Sequence, residues 1–249
     1  MRKRYWARSL LGWPALRSAR PNVAHTALAQ LQRNVRLGQR ISIVTQNVDS
    51  LHLVAGSPPA DLIELHGHLR DVQCLDCNTV YSRDAFQDDL RNLNPAWGEI
   101  LDSNAVAAKA GDAEANVEPM KAALKSKKGM QRPDGDREID GFGLSYQDFV
   151  IPPCGSCGSD NRQPTVVFFG GFLDKHIAEA SIDLAEKADA LLVVGSSLTT
   201  YSSFRLARRM YQKDAPIAMV SIGPSRADKF ETMLKIEALA SAVLPKLVL

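Results

Sequence analysis

The chain has 249 residues and a formal net charge of +2, and 45% of its residues are hydrophobic and 23% charged. Such a composition is ordinary for a globular protein, and the length permits one large domain or two smaller ones. Aromatic residues make up only 6% of the chain, whereas a dedicated nucleic-acid binder usually shows a basic stripe with interleaved aromatic residues. No apolar run approaches the roughly 20 residues that a membrane-spanning helix needs. We therefore expect a soluble protein that binds neither nucleic acid nor membrane.

The first twenty residues are rich in arginine, contain serine and lack acidic residues. This composition is typical of a mitochondrial presequence, and the alternative is an exposed basic and aromatic segment of the mature fold. From Pro21, apolar residues recur at helical spacing, and Gly38 is the predicted stop. The apolar run at residues 41–45 then predicts a short buried strand, which delivers the polar segment 46–52 at its carboxyl end.

Four cysteines form two Cys-x-x-Cys pairs, and the chain contains no other cysteine. Cys74 and Cys77 form the first pair, and Cys154 and Cys157 the second. Two thiolates on one tight turn can both face a tetrahedral Zn²⁺, and two such turns complete a four-cysteine site. A single pair would be equally compatible with a redox motif or with buried thiols. Together the two pairs predict one structural zinc ion, because four thiolates leave no open position for a catalytic water.

The stretch at about residues 99–148 lies between the two cysteine pairs and differs from its surroundings. It is rich in Ala, Lys, Asp and Gly and shows little apolar periodicity. We interpret it as a solvated, partly disordered insertion. Its charges are expected to form a solvated surface, with binding of a partner as the alternative.

Regular alternation returns after the second cysteine pair. Residues 166–169, 190–194 and 217–222 are predicted strands. Helices are predicted at 173–188, from the Gly-Ser-Ser segment to Met210, and at the carboxyl end of the chain. Apolar strands that alternate with helices indicate an α/β fold with a parallel sheet covered on both faces. We therefore expect residues 1–67 and 161–249 to form a larger domain, into which residues 68–160 insert a small zinc module.

Polar and small residues follow three of the predicted strands, where ligands bind in open α/β sheets. They are Gln46, Asn47 and Asp49 after the first strand, Gly195, Ser196 and Ser197 after the second, and Ser221, Ile222, Gly223 and Ser225 at the third. Each segment alone is compatible with an ordinary turn, but together they favour a nucleotide site.

His66 is the candidate general base, because it lies just before the zinc module, where two domains would meet, and a histidine can accept a proton near neutral pH. A lone histidine is more often structural, so this assignment depends on its context. We treat His52 and His68 as structural or surface residues and assign no function to His25 and His176.

Several segments resemble the sirtuin family in sequence and order. They are TQNVDSLH at 45–52, ELHG at 64–67, the two cysteine pairs, VVFFG at 166–170, GSSL at 195–198 and SIGPSR at 221–226. The sequences of the later segments are most similar to the class II branch, which includes the mitochondrial sirtuin 4 and bacterial relatives. The segments YWARSLLGWP and ARPNVAH resemble that branch too, which favours the mature-fold interpretation of the amino terminus.

The resemblance implies a Rossmann-like fold, bound NAD⁺ as co-substrate and the activity of an NAD-dependent protein-lysine deacylase. In that chemistry the acyl oxygen of the modified lysine attacks C1′ of the nicotinamide ribose and expels nicotinamide. A histidine, matched here by His66, then deprotonates a ribose hydroxyl, which leads to O-acyl-ADP-ribose and free lysine. The resemblance also implies acylated-lysine proteins as partners and a monomer. The compartment would be the mitochondrial matrix, or the cytoplasm in a bacterium.

The family's binding residues map onto this chain by the same motifs. Gln46 matches a ribose contact, while Asn47, Val48 and Asp49 match the surroundings of the nicotinamide pocket. Residues 195–197 and 221–223 match contacts on the adenosine side. Phe168, Phe169 and Gly170 match the edge along which an acyl-lysine peptide lies as an added strand.

The chain also departs from the family pattern. A sirtuin opens with a strand and a Gly-Ala-Gly-x-Ser loop that holds the pyrophosphate at a helix N-terminus, and nothing ahead of Ile41 matches either. Loss of that strand is expected to expose apolar edges of its neighbours. Gly171 stands where relatives usually have an acid, and Ser221 where they usually have asparagine. The chain is thus interpreted as a fragment of an active sirtuin or as a degenerate member that cannot hold NAD⁺ productively. In both cases we expect little or no catalysis by the chain as it stands. The alternative functions are a silent zinc-stabilised peptide-binding module and an ADP-ribosyltransferase.

Overall fold

The computed structural model describes residues 2–34, 40–102 and 144–248. The chain divides into two compact units. Unit 1 comprises Met1–Ala19 and Arg70–Thr165, and unit 2 comprises Arg20–Leu69 and Val166–Leu249. Val35, Gly38 and most of the predicted insertion lie outside the described residues. Within the described ranges, no helix combines the length and the apolar character needed to cross a membrane.

Unit 1 combines helices with a small sheet. Its elements are helix α1 (Arg2–Ser18), strand β3 (Gly67–Cys74), strand β4 (Val80–Ser82), helix α4 (Arg83–Leu93) and strand β5 (Arg162–Val166). The strands lie in the order β4-β3-β5, and β3 and β4 are antiparallel. Residues 95–102 are also helical. The sheet places the first cysteine pair at the turn between β3 and β4.

Helix α1 forms part of the core of unit 1. Trp6 and Leu10 are fully buried and pack with Phe86 and Leu90 of α4, and the Trp6 indole donates a hydrogen bond to the Arg162 carbonyl at 3.0 Å. The sequence prediction assigned the first 19 residues to the larger domain. The structure instead groups them with the cysteine pairs. The reason is that the aromatic face of α1 is buried rather than exposed.

The ends of the predicted insertion are part of the same core. Ile100 and Leu101 on one side, and Leu144 and Tyr146 on the other, pack against the buried cluster that contains Trp97. These residues were predicted to belong to a solvated segment that begins near 99 and ends near 148. The few apolar side chains at both ends of that segment are enough to anchor them, since each one removes apolar surface from water.

Unit 2 is an α/β structure. Its helices are α2 (Val23–Arg33), α3 (Leu51–Val54), α5 (Lys175–Lys187), α6 (Tyr201–Gln212) and α7 (Ala240–Val243). Its strands are β1 (Ile43–Thr45), β2 (Leu62–Glu64), β6 (Leu191–Val194), β7 (Ile217–Val220) and β8 (Leu234–Ile236). Short 3₁₀ turns cover Pro59–Asp61 and Leu244–Leu247.

In the part of the chain that the structure describes, the strand pairs of unit 2 are parallel. Strand β1 pairs with β2, and β6, β7 and β8 form a second sheet in that order. The predicted parallel α/β fold is confirmed, although its strands form two sheets. Among the described residues, β1 pairs only with β2 and β6 only with β7, so each of them has one edge without a neighbouring strand.

Two element boundaries differ from the prediction. The strand predicted at 166–169 ends at Val166, because the chain then turns: the Gly171 amide donates to the Phe168 carbonyl at 2.8 Å. Phe169 is consequently 99% exposed. At the carboxyl end, strand β8 precedes a helix of four residues, where a helix without a preceding strand was predicted.

Two helices of unit 2, α2 and α5, begin at side-chain caps. The Asn22 side chain accepts from the backbone amides of Ala24 and His25 at the start of α2, and Asp174 does the same at the start of α5. The carbonyls at the end of α5 are satisfied by a lysine from the end of α6. The Lys213 Nζ atom donates to the carbonyls of Ala185, Glu186 and Ala188 at 2.9, 2.8 and 2.6 Å, respectively.

We predict that Lys213→Met lowers the free energy of unfolding by about 1 kcal/mol, because three helix-end carbonyls lose a charged donor at a partly exposed site. Lys187→Met, which removes an exposed lysine from the last turn of α5, is the matched control and should cost a few tenths of a kcal/mol. Urea denaturation of the zinc-loaded protein measures both. Equal stabilities of the two variants would contradict the capping role.

Candidate functional site

The four cysteines converge in unit 1. The Sγ atoms of Cys74 and Cys157 are 3.6 Å apart, and those of Cys77 and Cys154 are 3.5 Å apart. All four sulfurs lie within 4.8 Å of one another. Four thiolates at the usual Zn–S distance of about 2.3 Å around a tetrahedral ion would be about 3.8 Å apart. The cysteines are therefore positioned to bind a structural zinc, as predicted from their spacing.

The two cysteine turns have the same backbone design. The amides of Asn78 and Gly158 donate to the carbonyls of Cys74 and Cys154, at 2.9 and 2.7 Å. Both donors have a left-handed backbone, with φ of +60° at Asn78 and +76° at Gly158. Gly158 takes this conformation without steric cost, and asparagine is the side chain that tolerates it best.

A carboxylate ties the two turns together. Asp76 accepts hydrogen bonds from the Ser159 hydroxyl and, at 2.7 Å, from the Asn161 side-chain amide. The Ser159 hydroxyl is the largest cause that lowers the pKa of Asp76 from its usual range, followed by Asn161. The cross-link thus holds the turns in place independently of the metal.

In unit 2, Gln46 lies at the carboxyl end of β1 and connects two of the predicted segments. Its Nε2 donates to the Ser196 hydroxyl at 2.8 Å, and its Oε1 accepts from the Thr200 hydroxyl at 3.0 Å. The Ser196 hydroxyl also accepts from the Leu198 amide at 3.1 Å. The carboxyl ends of β1 and β6 are therefore brought together, as the α/β pattern predicts.

His66 has a partner on each ring nitrogen. Its Nδ1 lies 3.3 Å from the Gln46 carbonyl, and its Nε2 lies 2.8 Å from the Ser202 hydroxyl. A carbonyl can only accept, so Nδ1 carries the proton and Nε2 is the acceptor in the neutral ring. The ring is half-buried, and its basic nitrogen is oriented toward the start of α6.

The segments after β6 and β7 also contact each other. The Ser197 carbonyl accepts from the Ser225 hydroxyl at 3.1 Å and from the Arg226 amide at 2.9 Å. Gly195 and Gly223 have φ of +58° and +83°, and a Cβ built on either would meet no atom within 4 Å. Open space beside a left-handed glycine lets a ligand approach the backbone closely. Of the other predicted residues here, Ser221 is buried and Ile222 is exposed.

The remaining predicted residues lie in two segments, 47–49 and 168–170. Asn47 is exposed, and its amide donates to the Thr45 hydroxyl. The Val48 carbonyl accepts from Leu69 at 3.0 Å, and Asp49 accepts from the Leu51 amide at 2.9 Å. The turn at residues 168–170 begins next to Val167, whose amide donates to the His66 carbonyl at 2.9 Å.

Thr200 and Ser202 were missed by sequence reasoning. Both lie in the hydroxyl-rich segment TTYSS at 199–203, directly after the Gly-Ser-Ser segment. The density of hydroxyl groups was the available signal. Their partners Gln46 and His66 are 154 and 136 positions away, so no local pattern could have paired them.

Comparison with known proteins decides the family. A sequence profile of the Sir2 family matches residues 1–202. The chain is 42% identical over 243 residues to the NAD-dependent protein deacylase SRT2 of Arabidopsis thaliana, covering 98% of this chain and 60% of that protein. It is 37% identical over 248 residues to the NAD-dependent protein deacylase Sirt4 of Drosophila melanogaster, covering 99% of this chain and 68% of that protein.

The chain belongs to the Sir2 family. Two solved structures agree with this assignment. A Sir2 enzyme is 29% identical with a TM-score of 0.61, and the match covers 92% of this chain and 68% of that one. A second, bound to a myristoylated histone peptide, is 29% identical with a TM-score of 0.60, over 92% of this chain and 71% of that one. The sirtuin resemblance drawn from the motifs is thereby confirmed.

A pair of histidines lies beside the polar segment of this sirtuin, between α2 and α3. The ring centroids of His25 and His52 are 4.8 Å apart. His52 is 8% exposed, and its Nδ1 is buried without a hydrogen-bond partner among the residues that the structure describes. The His25 Nδ1 accepts from the Asn22 amide at 3.3 Å and so completes the cap of α2.

Burial is the largest cause that lowers the pKa of both histidines. At His52 the charge of His25 lowers the pKa further, while Asp49 and Glu64 partly oppose these effects. Both rings are therefore neutral in the folded protein at pH values where the unfolded chain already binds protons. Stability is fully present above the unfolded pKa of about 6.5 and is lost as the pH falls.

We predict that the free energy of unfolding decreases between pH 6.5 and pH 5, and that His25→Gln flattens this dependence. Glutamine preserves the capping acceptor at the third helical position but cannot titrate. If the unfolded chain binds one proton fewer relative to the folded protein, the slope of the free energy of unfolding against pH decreases by at most about 1.4 kcal/mol per pH unit. His176→Gln, at an exposed position, is the control. Chemical denaturation across this pH range is the measurement, and an unchanged slope in His25→Gln would contradict the account.

Proposed function

We propose that this chain carries the acyl-transfer site of an NAD-dependent protein-lysine deacylase. The observation that carries the proposal is the pair of contacts on the His66 ring, whose Nδ1 lies 3.3 Å from the Gln46 carbonyl and whose Nε2 lies 2.8 Å from the Ser202 hydroxyl. The relatives named as NAD-dependent protein deacylases support it. When bound, NAD⁺ supplies a ribose carbon that accepts the acyl oxygen and nicotinamide as the leaving group.

His66 is proposed as the catalytic residue. The Gln46 carbonyl holds the proton on Nδ1, which leaves the Nε2 lone pair free to accept a proton from a substrate hydroxyl. Ser202 occupies that lone pair in the present structure and would give way to the substrate hydroxyl. The hydrogen bond from the Val167 amide to the His66 carbonyl fixes the backbone below the ring.

The nucleotide is proposed to lie along the carboxyl ends of β1, β6 and β7. Gln46 would contact a ribose, and Asn47, Val48 and Asp49 would surround the nicotinamide. The adenosine side would contact residues 195–197 and 221–223. The hydrogen bonds among Gln46, Ser196 and Thr200 and the open space beside Gly195 and Gly223 support this placement.

An acyl-lysine peptide is proposed to lie along Phe168, Phe169 and Gly170. This turn is exposed and begins beside His66, and its residues follow the end of a strand, where an extended peptide can add main-chain hydrogen bonds. The solved Sir2 enzyme with a myristoylated histone peptide supports acylated protein substrates. We further propose that the protein acts as a monomer.

The class II assignment is proposed on the similarity to Drosophila Sirt4, and the mitochondrial matrix is the compartment proposed with it. The bacterial relative from Bradyrhizobium diazoefficiens, 39% identical and named an NAD-dependent protein deacetylase, favours the cytoplasm if the source is a bacterium. Imaging of the tagged full-length protein distinguishes the two.

We predict that the zinc-loaded chain alone shows little or no NAD⁺-dependent removal of the acyl group from an acylated lysine peptide. Fusion of a sirtuin strand and Gly-Ala-Gly-x-Ser loop to its amino terminus should provide NAD⁺ binding in calorimetry and this reaction. His66→Ala should lower turnover at least about 100-fold, the usual contribution of a general base, and leave zinc content unchanged. Mass spectrometry of the peptide and of the nucleotide product measures the reaction. His176→Ala, at the exposed start of α5, is the control and should retain full turnover.

Three results would contradict the proposal. A folded, zinc-loaded protein that carries the fused strand and loop and still does not bind NAD⁺ would be a silent module and not an enzyme. Transfer of ADP-ribose to protein without loss of the acyl group would identify an ADP-ribosyltransferase. Full turnover by His66→Ala would remove the histidine from the reaction.

A further inference from the structure

Arg162 is a buried cation in unit 1. Its residue is 2% exposed, and its guanidinium lies over the rings of Tyr81 and Phe86, at 4.0 and 4.4 Å from their centroids. Its Nη1 donates to the carbonyls of Pro152 and Pro153 at 3.4 and 3.1 Å. Among the described residues, no carboxylate forms an ion pair with it. Burial of a charge costs free energy unless a nearby opposite charge offsets it.

The cysteine site is a candidate for the counter-charge. Four thiolates around one Zn²⁺ carry a net charge of about −2, since the ligands must be deprotonated to bind the metal. Pro152 and Pro153, which Arg162 holds by their carbonyls, lie directly before Cys154 in sequence. The same backbone segment therefore contacts the guanidinium and leads into the metal ligand.

Tyr81 connects the two groups. Its hydroxyl lies 3.0 Å from the Cys154 Sγ and 3.3 Å from the Ser156 hydroxyl, while its ring face carries the Arg162 guanidinium. A metal-bound thiolate has no hydrogen to give, so the tyrosine is the donor of the hydroxyl–sulfur bond in the zinc-loaded protein. A cation over the ring face withdraws electron density from the ring and strengthens the hydroxyl as a donor.

We propose that Arg162 is the counter-ion of the zinc–thiolate centre and that Tyr81 couples the two through its ring face and its hydroxyl. Both are positioning residues of the metal site. Tyr81 stabilises one thiolate by a hydrogen bond, and Arg162 offsets the negative charge that remains after the metal binds. Outer partners of this kind hold metal ligands in position, and their loss typically lowers metal affinity 10- to 100-fold.

Arg83 provides a matched control in the same unit. It is buried as well, and its guanidinium lies over the ring of Trp13 at 4.7 Å. Burial is the largest cause that lowers its pKa, to about 10. Its hydrogen bonds, however, go to Gln87 and Ser9, which lie outside the cysteine turns. A variant at Arg83 therefore removes a buried arginine from unit 1 without touching the metal site.

The test compares Tyr81→Phe, Arg162→Met, their double variant and Arg83→Met in the full-length chain. Competition with a chromogenic chelator gives zinc affinity, and absorption of the Co²⁺-substituted protein reports the electron density on the thiolates. We expect Tyr81→Phe and Arg162→Met each to lower zinc affinity about 10-fold. We expect the double variant to lose less than the product of the two, because the tyrosine transmits part of the arginine's effect.

In the Co²⁺ spectrum, Tyr81→Phe should shift the sulfur-to-metal charge-transfer band to lower energy, because the thiolate loses a hydrogen bond. Arg83→Met should leave both the band and the affinity unchanged. A folded Tyr81→Phe protein with wild-type zinc affinity and an unshifted band would overturn the proposal, even if Arg162→Met failed to fold. A loss of affinity in Arg83→Met equal to that in Arg162→Met would also overturn it.

Discussion

Unit 1 depends on the requirement that four thiolates surround one metal ion. Cys77 and Cys154 are separated by the longest excursion between any two consecutive cysteines of the chain, and the metal closes this excursion at a single point. The sulfurs already lie within 4.8 Å of one another. Four thiols placed together contribute little to stability by themselves. Because the unfolded chain lacks the assembled site, the free energy of metal binding adds to the stability of the folded state. The aromatic core that includes Trp6 and Phe86 adds apolar burial to this metal cross-link.

Unit 2 is organised by polar contacts at the ends of very short strands. Strands of three or four residues, such as β1 and β6, hold few ladder hydrogen bonds. Gln46 compensates for this at their carboxyl ends, because its side chain connects β1 to the segment after β6 and its carbonyl orients His66. The same residue thus stabilises the local fold and sets the tautomer of the proposed base. A site of this kind is preorganised, since its hydrogen bonds exist before a ligand arrives.

Sequence reasoning succeeded where the cause is local. The apolar runs at 41–45, 190–194 and 217–222 each contain an observed strand, because continuous apolar residues suit strands buried in parallel sheets. The cysteine spacing likewise specified which side chains would meet, since the tight turn between paired cysteines is encoded within a few residues.

The prediction failed where contacts are distant in sequence. The basic residues of α1 suggested an exposed segment, whereas Trp6 and Leu10 are buried against α4, far along the chain. The run VVFF has strand propensity throughout, yet the chain turns after Val166 and exposes Phe169, because a glycine pair follows and allows the turn. The contact between His66 and Ser202 could not be predicted for the same reason. Hydrophobic periodicity describes a single helix or strand and gives no information on the element that packs against it.

X-ray absorption at the zinc K-edge of the purified protein tests the central claim most directly, because it counts the atoms bound to the metal and measures their distances. The account predicts one zinc ion per chain with four sulfur ligands at about 2.3 Å and no nitrogen or oxygen ligand. A zinc shell with fewer than four sulfurs, or a folded chain that holds no zinc after reconstitution, would contradict it.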